Sequence, residues 1–156
     1  MRFTSAQIKE KLEHFTSALH AAGVKATHQR IEIYREVLDS GHHPDAEAVF
    51  NGVRQRVPTV SLDTVYRTLW LLTDLGLIGT LGQPRERVRF DANTSPHHHF
   101  ICTTCGEAMD FTSAELDALA VPAAAAQLGK VQQAHVELRG VCNTCARGSG
   151  PDACRP

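Results

Sequence analysis

Two Cys-x-x-Cys pairs, Cys102/Cys105 and Cys142/Cys145, constrain the second half of this 156-residue chain more than any other feature. Each pair sets two thiolates at the bite of one tetrahedral metal, and 36 residues separate the pairs. Together they can close a four-thiolate shell around Zn2+ with no open coordination position. Just upstream stands His97-His98-His99. His97 and His99 are two apart, so on a strand they face the same way. Soft sulfur beside harder imidazole donors predicts two metal sites, one structural and one responsive.

Redox chemistry and disulfides are the competing uses of such cysteines. A redox Cys-x-x-Cys opens a helix after a strand and needs no second copy. Disulfides belong to secreted chains, whereas MRFTSAQIKEKLEHF is charged throughout and has no apolar signal core. No run approaches 18 apolar residues, so no membrane span is expected. Metal-bound thiolates in a reducing cytoplasm fit better. Cys154, in the tail GPDACRP, has no partner in this arithmetic and reads as a tail thiol.

Composition is that of an ordinary globular chain, with 42% apolar and 21% charged residues and a net charge of −1. The charge is unevenly divided. Residues 1–90 hold 12 Lys/Arg against 10 Asp/Glu, and residues 91–156 hold 4 against 7. The first half is slightly basic and the second acidic.

The first half reads as short helices with clear punctuation. Ile8, Leu12, Phe15 and Leu19 recur at helical spacing, and Gly23 supplies a stop. Thr27 can cap a second helix carrying Ile31, Tyr34 and Leu38. Pro44 fits the first turn of a third, with Val49, Phe50, Val53 and Val57 inward. Ser61 caps a fourth, whose Leu62, Val65, Leu69 and Leu72 form one apolar face before Gly76. The runs Leu77–Leu81 and Val88–Phe90 then read as a hairpin. Helices followed by a two-stranded hairpin is the winged-helix order. In that architecture the helix before the hairpin enters the major groove, and its outward face here carries Thr64, Tyr66, Arg67 and Trp70, with Ser61 at its start. Hydroxyls, a phenol and a guanidinium suit phosphate and base-edge contacts; an ordinary solvated face is the bland alternative.

From about residue 98 the pattern changes. His99–Thr103 and Ala108–Phe111 read as strands flanking the first cysteine pair. Ser113 caps a helix through Leu119 or beyond, and Val131–Arg139 reads as a strand delivering Gly140-Val141-Cys142. So small an α+β unit has little core, and a structural zinc with subunit pairing through the sheet are the usual remedies.

VSLDTVYRTLWLLTDLGLI, the spacing from GHHP to the histidines, and HHHFICTTCGEAMDF with a later GVCNTC together resemble the ferric uptake regulator family of bacterial metal-dependent repressors. The resemblance runs from about residue 20 to residue 145. It implies an α+β homodimer: a winged-helix DNA-binding domain over 1–83, a hinge over 84–91, and a dimerisation and metal-binding domain over 92–156 with a short tail. It places the structural zinc on Cys102, Cys105, Cys142 and Cys145. It places a regulatory Fe2+ or Mn2+ on His43, Asp91, His97, His99 and Asp110, and DNA contacts on Ser61, Thr64, Tyr66 and Arg67. The donor chemistry agrees, since three imidazoles and two carboxylates are harder than any thiolate shell. Singly these residues have dull readings: His43 as a helix cap, Asp110 as a strand-end carboxylate. His98 reads as a bystander on the other strand face.

Within the family, iron-sensing members resemble one another in having Glu where this chain has Asp91 and Asp110, whereas the peroxide-sensing branch has Asp at both. A further site of some iron sensors draws on positions that match Pro96 and Ala134, which offer no side-chain ligand. His135 is adjacent but faces the other way on a strand. Zinc-uptake members use a thiolate at the regulatory site, and none is near it here. Ala26-Thr27-His28-Gln29-Arg30 departs from the usual Thr-Pro-Gln-Arg element. The resemblance therefore implies a cytoplasmic peroxide sensor that binds inverted-repeat operator DNA. Its metal favours the DNA-binding pose, and Fe2+-dependent oxidation of the imidazoles at His43 and His97 releases the DNA. An iron-responsive regulator of metal uptake is the alternative. A metalloenzyme would need an open coordination position and a substrate pocket, whereas this chain spends half its length on a small helical module; a zinc-stabilised interaction module would make no DNA contact.

Overall fold

The computed structural model describes residues 3–82, 88–131 and 134–148. It divides into two compact units, Met1–Thr94 and Ser95–Pro156. The first contains helices α1 (Ser5–Ala21), α2 (His28–Asp39), α3 (Ala46–Arg54) and α4 (Leu62–Asp74), then strands β1 (Gly79–Leu81) and β2 (Arg89–Asp91). The strands pair antiparallel with Gly79 opposite Asp91, giving the winged-helix order.

Local chemistry sets these boundaries. Thr4, Thr27, Asp45 and Ser61 each accept a backbone N–H of the first turn they precede. Gly23 and Gly76 follow α1 and α4 at φ 70° and 67°, conformations that cost a side-chain-bearing residue more. Pro44 stands one place outside the expected first turn, because Asp45 takes the cap. The Pro44 carbonyl is thereby left to accept the Phe90 N–H at 2.9 Å. Val57 is buried but lies beyond α3.

One apolar cluster holds this unit together. Phe15, Leu19, Ile33, Val49, Val53, Val65, Leu69 and Leu72 are fully enclosed, and the cluster closes on Phe90 and Ala92. Phe15 and Tyr34 meet with ring centroids 5.0 Å apart. Arg56 clamps α2 from the end of α3, donating to Glu32 and Glu36 at 2.7 Å each. β2 falls inside the stretch suggested as a hinge, so Arg89–Asp91 belong to the hairpin, and residues 83–87 lie outside the described residues.

The second unit contains β3 (His98–Cys102), β4 (Ala108–Phe111), α5 (Ala114–Asp117), α6 (Ala123–Ala126), β5 (Glu137–Gly140) and α7 (Asn143–Ala146). Its sheet has the order β4-β3-β5, with β4 antiparallel and β5 parallel to β3. Two expected elements come out shorter. The helix capped by Ser113 is one turn long, because Leu119 and Val121 find no core and stay exposed. The last strand begins at Glu137, and Gln132, Gln133 and Cys154 lie outside the described residues. Among the described residues no helix is long and apolar enough to cross a membrane.

Candidate metal centres

The four cysteines converge at one end of the sheet. Their sulfur atoms all lie within 4.8 Å of one another. Thiolates on a tetrahedral zinc at about 2.3 Å stand nearly 4 Å apart, so the cluster fits that ion with little adjustment. The backbone builds the site in two knuckles. After β3 the chain turns at Gly106, φ 74°, whose N–H donates to the Cys102 carbonyl at 2.8 Å. Cys142 caps α7, its sulfur accepting the Cys145 N–H at 3.4 Å. The Cys142 N–H donates in turn to the Cys102 sulfur at 3.3 Å. That bond is the main reason the Cys102 thiol is lowered to about 6, a poise that favours the metal-binding thiolate.

The expected regulatory ligands divide between the two units, and each set is built locally. In the first unit His43 and Asp91 are both buried, with His43 Nε2 3.7 Å from Asp91 Oδ1. They meet because the Pro44 carbonyl accepts from Phe90 and Asp45 bridges Arg89, which stitches the loop before α3 to β2. Asp91 Oδ1 also accepts the Asn93 N–H at 2.7 Å, fixing the carboxylate.

In the second unit His97 and His99 project from one face, and His99 stands opposite Asp110 across the β3–β4 ladder. Their Nε2 atoms approach to 2.8 Å and lie 3.8 and 3.6 Å from Asp110 Oδ1. His97 Nδ1 donates to the Ser95 carbonyl at 2.7 Å. That bond places the proton on Nδ1 and leaves Nε2 a lone pair aimed at His99 and Asp110. Metal-binding imidazoles are fixed in this way. Two imidazole nitrogens and a carboxylate oxygen thus converge, a donor set suited to Fe2+ or Mn2+.

His98 stands outside the ligand cluster on the other strand face, as expected, but it is buried there. It is 3% exposed, its Nδ1 accepts the Val136 N–H at 3.2 Å, and its Nε2 lies 3.2 Å from Asp117 Oδ1. Strand alternation placed it correctly on the opposite face but carried no sign that Asp117 of α5 reaches it there. Nothing in the sequence pattern marked Asp117, or Lys11, which donates to the Ala92 carbonyl at 3.3 Å.

On α4, Tyr66 and Trp70 are exposed, as is Arg67, which pairs with Asp63 at 3.0 Å. Ser61 and Thr64 share a hydroxyl–hydroxyl hydrogen bond at the start of the helix. Val65, Thr68, Leu69 and Leu72 point inward. Trp70 is only partly free, meeting Phe90 edge-on at 6.0 Å.

Residues 21–139 match the model of the ferric uptake regulator family. The peroxide-responsive repressor of Staphylococcus epidermidis is 33% identical over 138 residues, covering 88% of this chain and 92% of its own length. The ferric uptake regulator of Helicobacter pylori, described with three functional metal-binding sites, superposes with a TM-score of 0.74 at 23% identity. That match covers 94% of this chain and 97% of the other. The Vibrio cholerae ferric uptake regulator gives a TM-score of 0.67 at 26% identity, over 81% and 98% of the two chains. The chain belongs to the ferric uptake regulator family.

Proposed function

We propose that this protein is a metal-dependent transcriptional repressor that responds to peroxide, working in the cytoplasm as a homodimer on inverted-repeat DNA. Its family consists of transcriptional regulators and not enzymes. The observation that carries the peroxide reading is a short carboxylate at each of two expected ligand positions, Asp91 beside His43 in the first unit and Asp110 beside His97 and His99 in the second. The 33% identity to a peroxide-responsive repressor supports it.

In this reading His43, Asp91, His97, His99 and Asp110 hold one Fe2+ or Mn2+, and the four cysteines hold Zn2+ throughout. Fe2+ held by these residues would activate hydrogen peroxide beside the imidazoles, one peroxide oxygen passing to an imidazole and the other leaving as water; Mn2+ would not. His97 and His43 then carry the oxidation, and an oxidised imidazole no longer presents the lone pair that ligation needs. Because ligands come from segments before and after Thr94, metal occupancy biases the pose in which two copies grip DNA. The unit before Thr94 supplies the DNA contacts: Tyr66 and Arg67 at the groove, Ser61 and Thr64 near phosphate.

The unit from Ser95 onward pairs with its copy through one sheet face. Met109 and Leu138 flank Phe100 by register, and with Phe111 and Val141 they line a concavity of about 640 Å3. Met109, Leu138 and Val141 are 38%, 45% and 51% exposed, a patch of the kind that subunit association covers.

The test loads zinc-containing protein with Fe2+ or Mn2+ and adds hydrogen peroxide at low concentration. DNA binding and histidine mass are then followed together. The Fe2+ form should release inverted-repeat DNA and gain oxygen on His43 or His97, while the Mn2+ form does neither. Retention of DNA by the Fe2+ form with every histidine intact would instead identify an iron-responsive regulator.

A further inference from the structure

Lys11 lies on α1, far in sequence from every expected ligand, yet its ammonium comes to the end of β2. It donates to the carbonyl of Ala92, the residue after Asp91, at 3.3 Å. It also stands over the Phe3 ring, 4.7 Å from the centroid. Ala92 and Asp91 are 7% and 6% exposed, so this is poorly hydrated ground for an ammonium. Burial accordingly lowers the Lys11 pKa, with the charges of Asp91 and then Glu10 acting against that shift. Helix α1 thus delivers a positive charge to the surroundings of the carboxylate proposed as a metal ligand.

We propose that Lys11 is an affinity-setting residue of the regulatory site, a resident cation that competes with the divalent ion for the charge of Asp91. The inference rests on the reading that Asp91 ligates that ion. Before metal arrives, the ammonium stabilises the carboxylate. After it arrives, the two cations repel across a medium less polar than water. Both effects weaken metal binding, and both vanish with the lysine charge. The site is thereby held loose enough for its ion to exchange.

The alternative is that Lys11 merely straps α1 to the end of β2. Mn2+ titrations of the zinc-containing full-length dimer separate the two. Lys11→Met and the shorter Lys11→Gln should each bind Mn2+ about tenfold tighter than the parent, the effect of one neighbouring charge. Lys11→Arg keeps the charge and should stay near the parent. In an Asp91→Asn background the Lys11→Met gain should shrink, because only the direct repulsion between the two cations is then left to relieve. Should Asp91→Asn weaken Mn2+ binding while both neutral Lys11 variants bind no tighter than the parent, the competition is overturned and the site stands. If Asp91→Asn leaves Mn2+ affinity unchanged, the ligand assignment itself fails and takes this inference with it.

Discussion

Arg67 shows how a single side chain can be assigned by what it does not hold together. It is 80% exposed, and its one described ion pair, with Asp63 on the same helix, is of a kind worth only about 0.3–0.5 kcal/mol. Arg67→Ala should therefore leave thermal stability almost unchanged. It should weaken operator binding by about 1–3 kcal/mol per half-site, measured by fluorescence anisotropy at fixed salt. Unchanged affinity would move the DNA surface elsewhere on the first unit. Other single residues were legible to different degrees. His97 and His99 declared a shared face through their spacing, and Asp110 joins them because the ladder sets it opposite His99. The burial of His98 was not legible, because alternation fixes the direction of a side chain and not what it packs against. Lys11 gave no signal, since its partner at Ala92 lies 81 residues away.

At the scale of elements, caps made the helices readable. Thr27 and Ser61 start α2 and α4 as their side chains dictate, and the apolar stripes of both helices face the core. Strand lengths were less legible, because pairing partners set them. The run from Val131 became a strand only from Glu137, where β3 offers its edge at His99. A further constraint sits between α2 and α3. A Cβ at Gly52 would collide with the Glu36 carboxylate, which Arg56 holds from its other side. Gly52→Ala would normally stabilise a helix by about 1 kcal/mol. Here it must displace Glu36 from Arg56, a half-exposed pair worth up to about 1 kcal/mol, so the net change should be close to zero. In a Glu36→Ala background the obstacle is gone, and Gly52→Ala should then stabilise by about 1 kcal/mol. Urea denaturation of the four proteins checks this. Equal effects in both backgrounds would mean that the Glu36 carboxylate does not restrict the position.

For the whole molecule, the distribution of burial decides what the zinc does. The apolar core cluster runs from Phe15 to Ala92 and stops before the division at Thr94. Among the described residues beyond it, the buried apolar side chains are Cys102, Ala108 and Cys142, two of them proposed ligands. The second unit therefore has little core of its own. Zinc in small structural sites contributes on the order of 10 kcal/mol, as much as the whole stability of a typical domain. Cys142→Ser removes one thiolate ligand, while the serine hydroxyl can still cap α7. It should release zinc and unfold the second unit, carrying away the exposed sheet face around Met109 and Leu138, and hence the dimer. The first unit, with its own core, should keep its helices. Far-ultraviolet circular dichroism should therefore retain most of its helical signal, while light scattering reports a monomer and hydrogen exchange accelerates across residues 98–146. Two coupled losses with the helical half spared distinguish this from general destabilisation, which would melt both units. A zinc-free Cys142→Ser protein that stays dimeric and protected across β3 and β5 would show that the sheet stands without the metal.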